Sequence, residues 1–386
     1  MKIVHVITRL ILGGAQENTV LTCEGLHRRG HDVTLITGPP LGPEGQLLDR
    51  AMAGGYRVIV VDGLRRPIHP MRDHASYRAL RRLLSELAPQ VVHSHSSKAG
   101  ILARLAAQRG RVPLIVHTIH GLPFHPYQPR WVNRLYVALE RRAARRSDAL
   151  VSVADAMTAQ ALAARVGRAE QYITIYSGME VDAFLRRPAG ADAFRASLDL
   201  PEGAVLVTQV SRLAELKGHE YLIAAARRLP GHIHFCLVGD GALRGWIEAR
   251  LAQGRLAERF HLTGLLDPAD IPAVMHATDI LVHCSLREGL ARALPQAMLA
   301  GKPVVSFDVD GAREVVRTGQ TGYCVPAKDV ARLAGALGEL AGDEALRQRL
   351  GSAGREFARQ RFAADTMVEQ IERLYFRLAE QKRLKM

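Results

Sequence analysis

The stretch SLREGLARALPQAMLAGKPVV, residues 285–305, decides how this chain folds. It follows an apolar run at 279–284 (DILVHC) that predicts a buried strand, and it ends where a second predicted strand, PVVSF, begins. The residues between them predict a loop and a short helix. Pro295 suits a first helical turn, and Gly301 is placed to end the helix. This order of strand, loop, helix and strand is typical of a parallel sheet covered by helices.

Two polar side chains make this stretch a candidate binding site. Glu288 lies in the loop before the helix, and Gln296 lies in the first helical turn. Both would project where free backbone N–H groups and the helix dipole favour anions. Together these groups suit a polyhydroxylated phosphate ester, whose hydroxyls bind the side chains and whose phosphate oxygens bind the backbone. An ordinary strand-to-helix turn with a solvated Glu is the alternative.

The same residues resemble the E-x7-E region of the retaining glycosyltransferases of family 4. That family has the GT-B fold, in which two Rossmann-like domains face a central cleft. The resemblance implies that Glu288 contacts the transferred sugar and that Gln296 holds the ribose of the nucleotide. It also implies that Gly289 and Leu290 lie beside the donor. The pattern here is E-x7-Q, and an amide can hydrogen-bond two ribose hydroxyls but carries no charge.

Length and composition bound the class of protein. A chain of 386 residues predicts two domains, and its apolar and charged fractions are ordinary for a globular protein. The sequence has no CxxC pair or Cys/His cluster, which argues against disulfides and a zinc site. The N-terminus, MKIVHVITRLILGG, is interpreted as a strand and a glycine turn rather than a signal peptide. The cytosol is therefore the expected compartment.

The net charge of +14 is unevenly distributed. Residues 1–187 contain 26 Lys and Arg against 14 Asp and Glu, whereas residues 188–386 contain 26 against 24. A basic first half predicts an anionic partner: a membrane surface, a phosphorylated lipid or saccharide, or nucleic acid. Aromatic residues are scarce and no RNA-binding signature is present, so nucleic acid is not expected. Peripheral contact with the cytosolic face of an anionic membrane is favoured, and solvated arginine-rich helices are the alternative.

Short apolar runs alternate with longer helical patterns along the whole chain. Apolarity is continuous within the runs, which is typical of parallel strands covered on both faces. The pattern predicts an α/β protein with two doubly wound, Rossmann-like domains. The predicted strands are 2–8, 32–37, 57–62, 91–95, 113–118, 149–153 and 172–176, followed by 204–210, 233–238, 260–264, 279–284, 303–307 and 322–325.

Residues 177–192, rich in Gly, Pro and small side chains, are interpreted as the linker between the two domains. The predicted boundaries are 1–178 for an N-terminal acceptor-binding domain and 187–365 for a C-terminal domain that binds the nucleotide sugar. Residues 366–386 are predicted to form a C-terminal helix. The resemblance implies that this helix crosses back and packs on the N-terminal domain.

Two further loops are similar to donor-binding motifs of the family. Residues 211–218 (SRLAELKG) follow the first strand of the second domain. Arg212 and Lys217 in this loop suit a diphosphate leaving group, because two cations neutralise the charge that grows as the sugar–phosphate bond breaks. Gly13 and Gly14 follow the first strand of the chain, where glycine lets the backbone approach a phosphate. A basic helix start and a structural turn are the alternatives.

The resemblance assigns two more positions. It implies that the loop holding Leu265 flanks the nucleobase and that Gln16, beside the glycine turn, lies on the acceptor side. Asp308-Val309-Asp310 is a DxD sequence, which binds a divalent ion in metal-dependent sugar transferases of the other major fold. Here it is interpreted as a chance match, so neither a metal nor any other cofactor is expected.

Histidines follow two of the predicted strands. His120 resembles the active-site His of the family, which lies beside the transferred sugar and supports the transition state. His93, His95 and Lys98 lie at the end of another strand. His95 and Lys98 are candidates for the acceptor side, and burial in the core is the alternative. A His-x-His pair can bind a metal, but no carboxylate or Cys lies nearby in sequence, so a metal site is not predicted.

Together the motifs predict a retaining glycosyltransferase that moves a hexosyl-type residue from a nucleotide-diphosphate sugar to an acceptor. A lipid-linked or surface-polysaccharide intermediate is the expected acceptor. Two alternatives stay open. One is a GT-B epimerase of sugar nucleotides, and the other is a non-catalytic partner that binds a nucleotide sugar.

Overall fold

Within residues 1–41 and 45–384, which the computed structural model describes, seven parallel strands form the sheet of a first unit. This unit comprises Met1–Met179 and Ala364–Met386. Its strands are β1 (Lys2–Val6), β2 (Asp32–Thr37), β3 (Arg57–Val60), β4 (Val91–His95), β5 (Leu114–Ile119), β6 (Ala149–Ser152) and β7 (Tyr172–Thr174). Their order is β3-β2-β1-β4-β5-β6-β7. The helices are α1 (Gly14–Arg28), α2 (Leu48–Ala53), α3 (Pro70–Leu87), α4 (Ser97–Arg109), α5 (Arg130–Ala144), α6 (Asp155–Ala163) and, from the end of the chain, α16 (Ala364–Gln381).

Six parallel strands form the sheet of the second unit, Glu180–Ala363, all of whose residues are described. They are β8 (Val205–Val210), β9 (Ile233–Val238), β10 (Phe260–Gly264), β11 (Ile280–His283), β12 (Val304–Phe307) and β13 (Gly322–Val325), in the order β10-β9-β8-β11-β12-β13. The helices are α7 (Asp182–Leu185), α8 (Gly190–Ala196), α9 (His219–Ala226), α10 (Arg244–Gln253), α11 (Ile271–Ala277), α12 (Ala293–Leu299), α13 (Ala312–Val315), α14 (Val330–Gly342) and α15 (Glu344–Arg361).

Every predicted strand is present, and the bounds agree to within two residues. Strands β4 and β9 show why the pattern was informative, because all of their residues are buried. A parallel strand covered by helices on both faces has no solvent side, so its apolar residues are not confined to alternate positions. The predicted fold class, two Rossmann-like units with parallel sheets, is confirmed.

The segment 177–192, interpreted as a linker, contains more regular structure than its composition predicts. Helix α7 forms inside it, and α8 begins at Gly190. Phe184 is buried, and its carbonyl accepts a hydrogen bond from Nε2 of His276 at 2.8 Å. A few apolar residues among Gly, Pro and charged neighbours are too weak a local signal for a helix, and this four-residue helix depends on tertiary packing. The two units divide between Met179 and Glu180.

The C-terminal helix α16 packs along α1 of the first unit. Its buried face includes Met367 and Ile371, and burying an apolar side chain of this size stabilises the fold by about 1.5–3 kcal/mol. Residues 385–386 of the predicted C-terminal segment lie outside the described residues. None of the described helices combines the length and the apolar character needed to cross a bilayer.

Two helices of the second unit make a close backbone contact at Gly351 of α15. A Cβ added there would lie 2.0 Å from the carbonyl oxygen of Gly301, which follows the C-cap of α12. Gly301 has a φ of +75°, as expected of the residue that ends a helix. Gly351 is therefore required for close approach, and the contact supports the helix of the 285–305 stretch.

Gly351→Ala is expected to lower the free energy of unfolding by about 1–3 kcal/mol, the usual cost of overpacking. The matched control is Gly335→Ala in α14, where an added Cβ meets nothing within 4 Å. That substitution should stabilise by about 0.5–1 kcal/mol, because Gly weakens a helix interior. Chemical denaturation measures both, and equal effects of the two substitutions would contradict the packing argument.

Candidate functional site

An ion pair lies at the carboxyl edge of the second sheet. Strands β8 and β11 are parallel neighbours, so the loops that follow them meet at the same edge. Lys217 in the first loop donates a hydrogen bond to Oε1 of Glu288 in the second. The two side chains are only 19% and 20% exposed. The structure thus brings together two predicted site residues that are 71 positions apart in sequence.

His283, the last residue of β11, joins this pair. Its Nε2 lies 3.2 Å from Oε1 of Glu288. Because a carboxylate only accepts hydrogen bonds, Nε2 of His283 carries a proton and donates it. The sequence pattern does not single out His283, since a histidine inside an apolar run is more often a core residue.

Glu288 remains a carboxylate despite its partial burial. Burial raises the pKa of this carboxyl, but the Lys217 ammonium and the hydrogen bond from His283 outweigh that effect. The pKa of Glu288 therefore lies well below its ordinary value. A fixed negative charge at this position can accept hydrogen bonds from sugar hydroxyls or stabilise a positive charge that develops at an anomeric carbon.

Asp310 holds the Glu288 loop in place from the end of the neighbouring strand β12. Its Oδ2 accepts the backbone N–H of Glu288 at 2.7 Å. Asp308, the other acid of the DxD sequence, accepts a hydrogen bond from Nε of Arg313 at 2.7 Å. Both acids therefore have protein partners. The DxD sequence was interpreted as a chance match to a metal-binding motif, but its Asp310 positions the backbone of Glu288.

Gly218 sets how closely the Lys217 loop approaches the end of β11. Its φ is +71°, and an added Cβ would lie 1.9 Å from the carbonyl oxygen of Cys284. Any other residue would be strained in the left-handed region and would clash with this backbone. The Lys-Gly sequence thus has a physical reason, because the glycine lets the lysine ammonium reach Glu288.

The remaining predicted donor residues lie at or near the same edge of the second sheet. Arg212 is exposed in the loop after β8, and Gln296 is half-buried in α12. Leu265 follows β10 and is 51% exposed. Gly289 and Leu290 are buried beside Glu288 in its loop. The loops after β8, β10 and β11 therefore present cationic, apolar and carboxylate side chains along one edge.

In the first unit, the glycine turn and Lys98 occupy different settings. Gly13 and Gly14 are exposed where α1 begins, and Gln16 is half-buried in its first turn. Lys98 forms an ion pair with Asp73 at 2.7 Å, and both side chains are largely buried. This ion pair ties α4 to α3, and the expected contact of Lys98 with an acceptor stays a prediction.

His95 is fully buried at the end of β4, so it cannot touch an acceptor, and its expected place on the acceptor side is corrected. Strands β4 and β5 are paired, and His120 follows β5 directly. Nδ1 of His95 lies 3.1 Å from Nε2 of His120, which is half-buried. His95 therefore lies behind His120 and contacts it directly.

Three buried histidines lie close enough to raise the question of a metal site. Ring nitrogens of His5, His93 and His95 lie within 4.8 Å of one another. The rings of His93 and His95 are stacked, with centroids 4.5 Å apart and planes at 22°. Nδ1 of His5 and Nε2 of His95 already bond to each other, and both nitrogens of His93 already bond to Tyr375 and Thr118. The group fits a hydrogen-bonded core, and the absence of a metal stays a prediction.

Both units match models of known protein families. Residues 13–178 match the family described as "Glycosyl transferase 4-like domain". Residues 191–357 match the family described as "Glycosyl transferases group 1". The two matches together span most of the two units.

The chain is also similar to known glycosyltransferases over most of its length. It is 28% identical to UDP-Gal:alpha-D-GlcNAc-diphosphoundecaprenol alpha-1,3-galactosyltransferase of Escherichia coli, over 90% of this chain and 89% of that protein. It is 32% identical to 2-deoxystreptamine glucosyltransferase of Streptomyces kanamyceticus, over 67% and 69%. The crystal structure of Anabaena Alr3699/HepE in complex with UDP and glucose has a TM-score of 0.84 over 97% of this chain and 99% of that chain. At 23% identity, this likeness shows a shared fold.

Lys217→Met is expected to raise the pKa of Glu288 and to destabilise the protein at neutral pH by about 1–3 kcal/mol, because a partly buried carboxylate loses its cation. The wild-type stabilisation from the depressed pKa is present above about pH 4.3, the ordinary pKa of Glu, and is lost as the pH falls toward the folded value. The gap in thermal stability between wild type and variant should therefore be large at pH 7 and shrink as the pH is lowered below about 4.3.

The matched control is Lys2→Met, which removes an exposed pair with Asp32 at 4.0 Å. Such a pair contributes about 0–1 kcal/mol, so the control should change little at either pH. A loss of thermal stability in Lys217→Met that does not vary with pH would contradict the electrostatic coupling between Lys217 and Glu288.

Proposed function

Since this chain belongs to glycosyltransferase family 4, which has the GT-B fold, we propose that it transfers a hexosyl-type residue from a UDP-sugar to a lipid-linked saccharide, with retention at the anomeric carbon. It is a glycosyltransferase that uses a nucleotide-sugar donor. The choice of uridine and of the acceptor follows the Escherichia coli relative, whose name includes UDP-Gal and a diphosphoundecaprenol-linked sugar.

The observation that carries this proposal is the Lys217–Glu288 pair at the carboxyl edge of the second sheet. In open α/β sheets this edge is where ligands bind. When a donor binds, Lys217 and Arg212 neutralise its diphosphate, and Glu288 accepts hydrogen bonds from the sugar. The charges then match the reaction, because negative charge grows on the diphosphate while positive charge grows on the anomeric carbon.

Retention and metal independence are part of the proposal. Front-face displacement, in which the acceptor attacks on the side that the diphosphate leaves, retains configuration without a covalent sugar–enzyme intermediate. Glu288 suits the electrostatic role in this mechanism, since Lys217 and His283 already hold its carboxylate. Two protein cations near the diphosphate would supply the neutralisation that a divalent ion supplies in metal-dependent transferases.

Contact with an anionic membrane is supported by the outer face of α5 in the first unit. Trp131 is 70% exposed on this helix, and Leu135 is also exposed. A groove of about 780 Å³ between α3, α4 and α5 has an apolar floor and is lined by four arginines: Arg109, Arg111, Arg142 and Arg146. Exposed aromatic side chains next to arginines are typical of helices that lie in the membrane interface.

The donor proposal predicts selective thermal stabilisation by a UDP-sugar over GDP- and ADP-sugars, unchanged by EDTA. A ligand at 100 times its Kd stabilises by about 2.7 kcal/mol, which is a measurable rise in melting temperature. The rise should be lost in Arg212→Ala and in Lys217→Met. Arg332→Ala, on an exposed position of α14, is the matched control and should keep it.

Four outcomes would count against this function. Stabilisation by none of the donors would contradict the donor site, and loss of the shift in EDTA would contradict metal independence. Release of a free epimerised sugar without an acceptor would favour the epimerase. With an acceptor present, the anomeric coupling constant in the NMR spectrum of the product should equal that of the donor, and its inversion would contradict retention.

The membrane proposal predicts that the protein sediments with vesicles of phosphatidylcholine and phosphatidylglycerol but not with phosphatidylcholine alone. Arg142→Gln/Arg146→Gln should weaken this binding by about tenfold or more, because each arginine near an anionic surface contributes about 1 kcal/mol. Arg332→Gln/Arg349→Gln removes the same charge from exposed positions of the second unit and should have little effect. Equal weakening by both pairs would show that only the net charge matters.

A further inference from the structure

Three hydrogen-bonded histidines extend outward from the interior of the first sheet, and His120 is the last of them. His5 lies on β1, His95 on β4 and His120 directly after β5, and these three strands are neighbours. Nδ1 of His5 lies 2.9 Å from Nε2 of His95, and Nδ1 of His95 lies 3.1 Å from Nε2 of His120. One hydrogen bond joins each ring to the next, so the direction of these bonds decides which nitrogens carry protons.

The two inner rings are neutral. His5 and His95 are fully buried. Burial lowers the pKa of His5 to about 3, and burial with the neighbouring histidines lowers the pKa of His95 well below its ordinary value. A neutral imidazole carries one N–H and one bare nitrogen. His95 must therefore donate from one nitrogen and accept at the other, and both bonds of the chain must run in the same direction.

The inner end of the chain decides that direction. Nε2 of His5 is buried and has no hydrogen-bond partner among the described residues. If the bonds ran inward from His120, this nitrogen would carry a buried N–H with no acceptor. If the bonds run outward, Nε2 of His5 carries no proton, and only its lone pair is left without a partner. Buried N–H groups without partners are rarer and costlier than acceptors left unused, so the outward direction is favoured.

We propose that His5 and His95 are positioning residues that hold His120 as the neutral Nδ1–H tautomer. His5 donates from Nδ1 to His95, and His95 donates from its own Nδ1 to Nε2 of His120. Nε2 of His120 is thereby occupied as an acceptor, and its proton is on Nδ1. An imidazolium at His120 would need a proton on Nε2, which would face the N–H of His95 or reverse the whole chain.

Contacts with a fourth histidine, His93, hold the hydrogen-bonded rings in place. His93 stacks on His95, with ring centroids 4.5 Å apart, and contacts His5 in a tilted arrangement, with ring centroids 5.1 Å apart. Its two nitrogens are hydrogen-bonded to Tyr375 of α16 at 2.5 Å and to Thr118 of β5 at 2.7 Å. The His93 ring is thus held at both ends, and it packs against the faces of the rings that pass the hydrogen bonds to His120.

The consequence for catalysis rests on the proposed function and on the family resemblance, which implies that His120 lies beside the transferred sugar. Positive charge develops on that sugar as its bond to the diphosphate breaks. A neutral ring does not oppose this charge, whereas an imidazolium would. In this tautomer the one N–H of the His120 ring is on Nδ1. The buried histidines therefore specify both the charge and the donor atom of His120.

The tautomer can be read directly from the full-length protein labelled with ¹⁵N-histidine. The His120 signals are identified by their loss in His120→Gln. Wild-type His120 should show a protonated Nδ1 and a bare Nε2 at neutral pH. A proton on Nε2, or on both nitrogens, would overturn the proposal. Since this measurement needs neither a substituted inner histidine nor activity, it remains decisive if the proposed function fails in the donor experiments.

Two substitutions of His95 separate positioning from packing. His95→Asn keeps an amide N–H near the place of Nδ1, whereas His95→Gln puts its amide near the place of Nε2. His95→Gln is expected to shift His120 toward the Nε2–H tautomer and to lower kcat by about tenfold, the equivalent of one ordinary hydrogen bond, with the KM for the donor unchanged. His95→Asn should recover the tautomer and most of kcat. Equal losses of kcat in both variants, or a change in KM with kcat unchanged, would show that His95 serves only to pack the core.

Discussion

A mostly buried carboxylate that must remain charged governs the second unit's candidate site. An unpaired charge in such a place costs several kcal/mol, so Glu288 depends on a cation and on hydrogen bonds from its surroundings. Lys217 supplies the cation, and the conformation of Gly218 brings it close enough. Asp310 fixes the backbone of Glu288, and His283 bonds its carboxylate. Residues at or after three strand ends therefore converge on Glu288, which is possible because parallel strands end at the same edge.

The histidine cluster of the first unit, His5, His93 and His95, satisfies its polar groups differently. Its buried histidines are neutral, and they satisfy one another through hydrogen bonds and ring stacking rather than through charge pairs. Tyr375 of helix α16 is hydrogen-bonded to His93, so the C-terminal helix supports a cluster that includes His5 of the first strand. The contrast suits the proposed chemistry, in which charged groups bind an anionic diphosphate and a neutral ring faces a sugar that becomes positive.

Much of this could be predicted from the sequence, and the failures have physical causes. Continuous apolar runs identified all the strands, because complete burial on both faces leaves a pattern in the chain itself. The motifs also placed Lys217 and Glu288 at one sheet edge. His283, Asp310 and His5 were not singled out as site residues, since the role of each depends on a contact that only the folded chain makes. His95 was expected on the acceptor side because sequence position does not reveal burial.

The sequence by itself determined the class of fold, the parallel strands and the residue types available at their carboxyl ends. These properties are local, since they depend on the spacing of apolar residues, glycines and charges along the chain. Only the tertiary structure decided which of these side chains meet. The register of β1, β4 and β5 joins three histidines into a chain, and the adjacency of β8 and β11 pairs a lysine with a glutamate. Distances, burial and the protonation of buried groups arise from contacts between distant residues, and these contacts exist only in the folded chain.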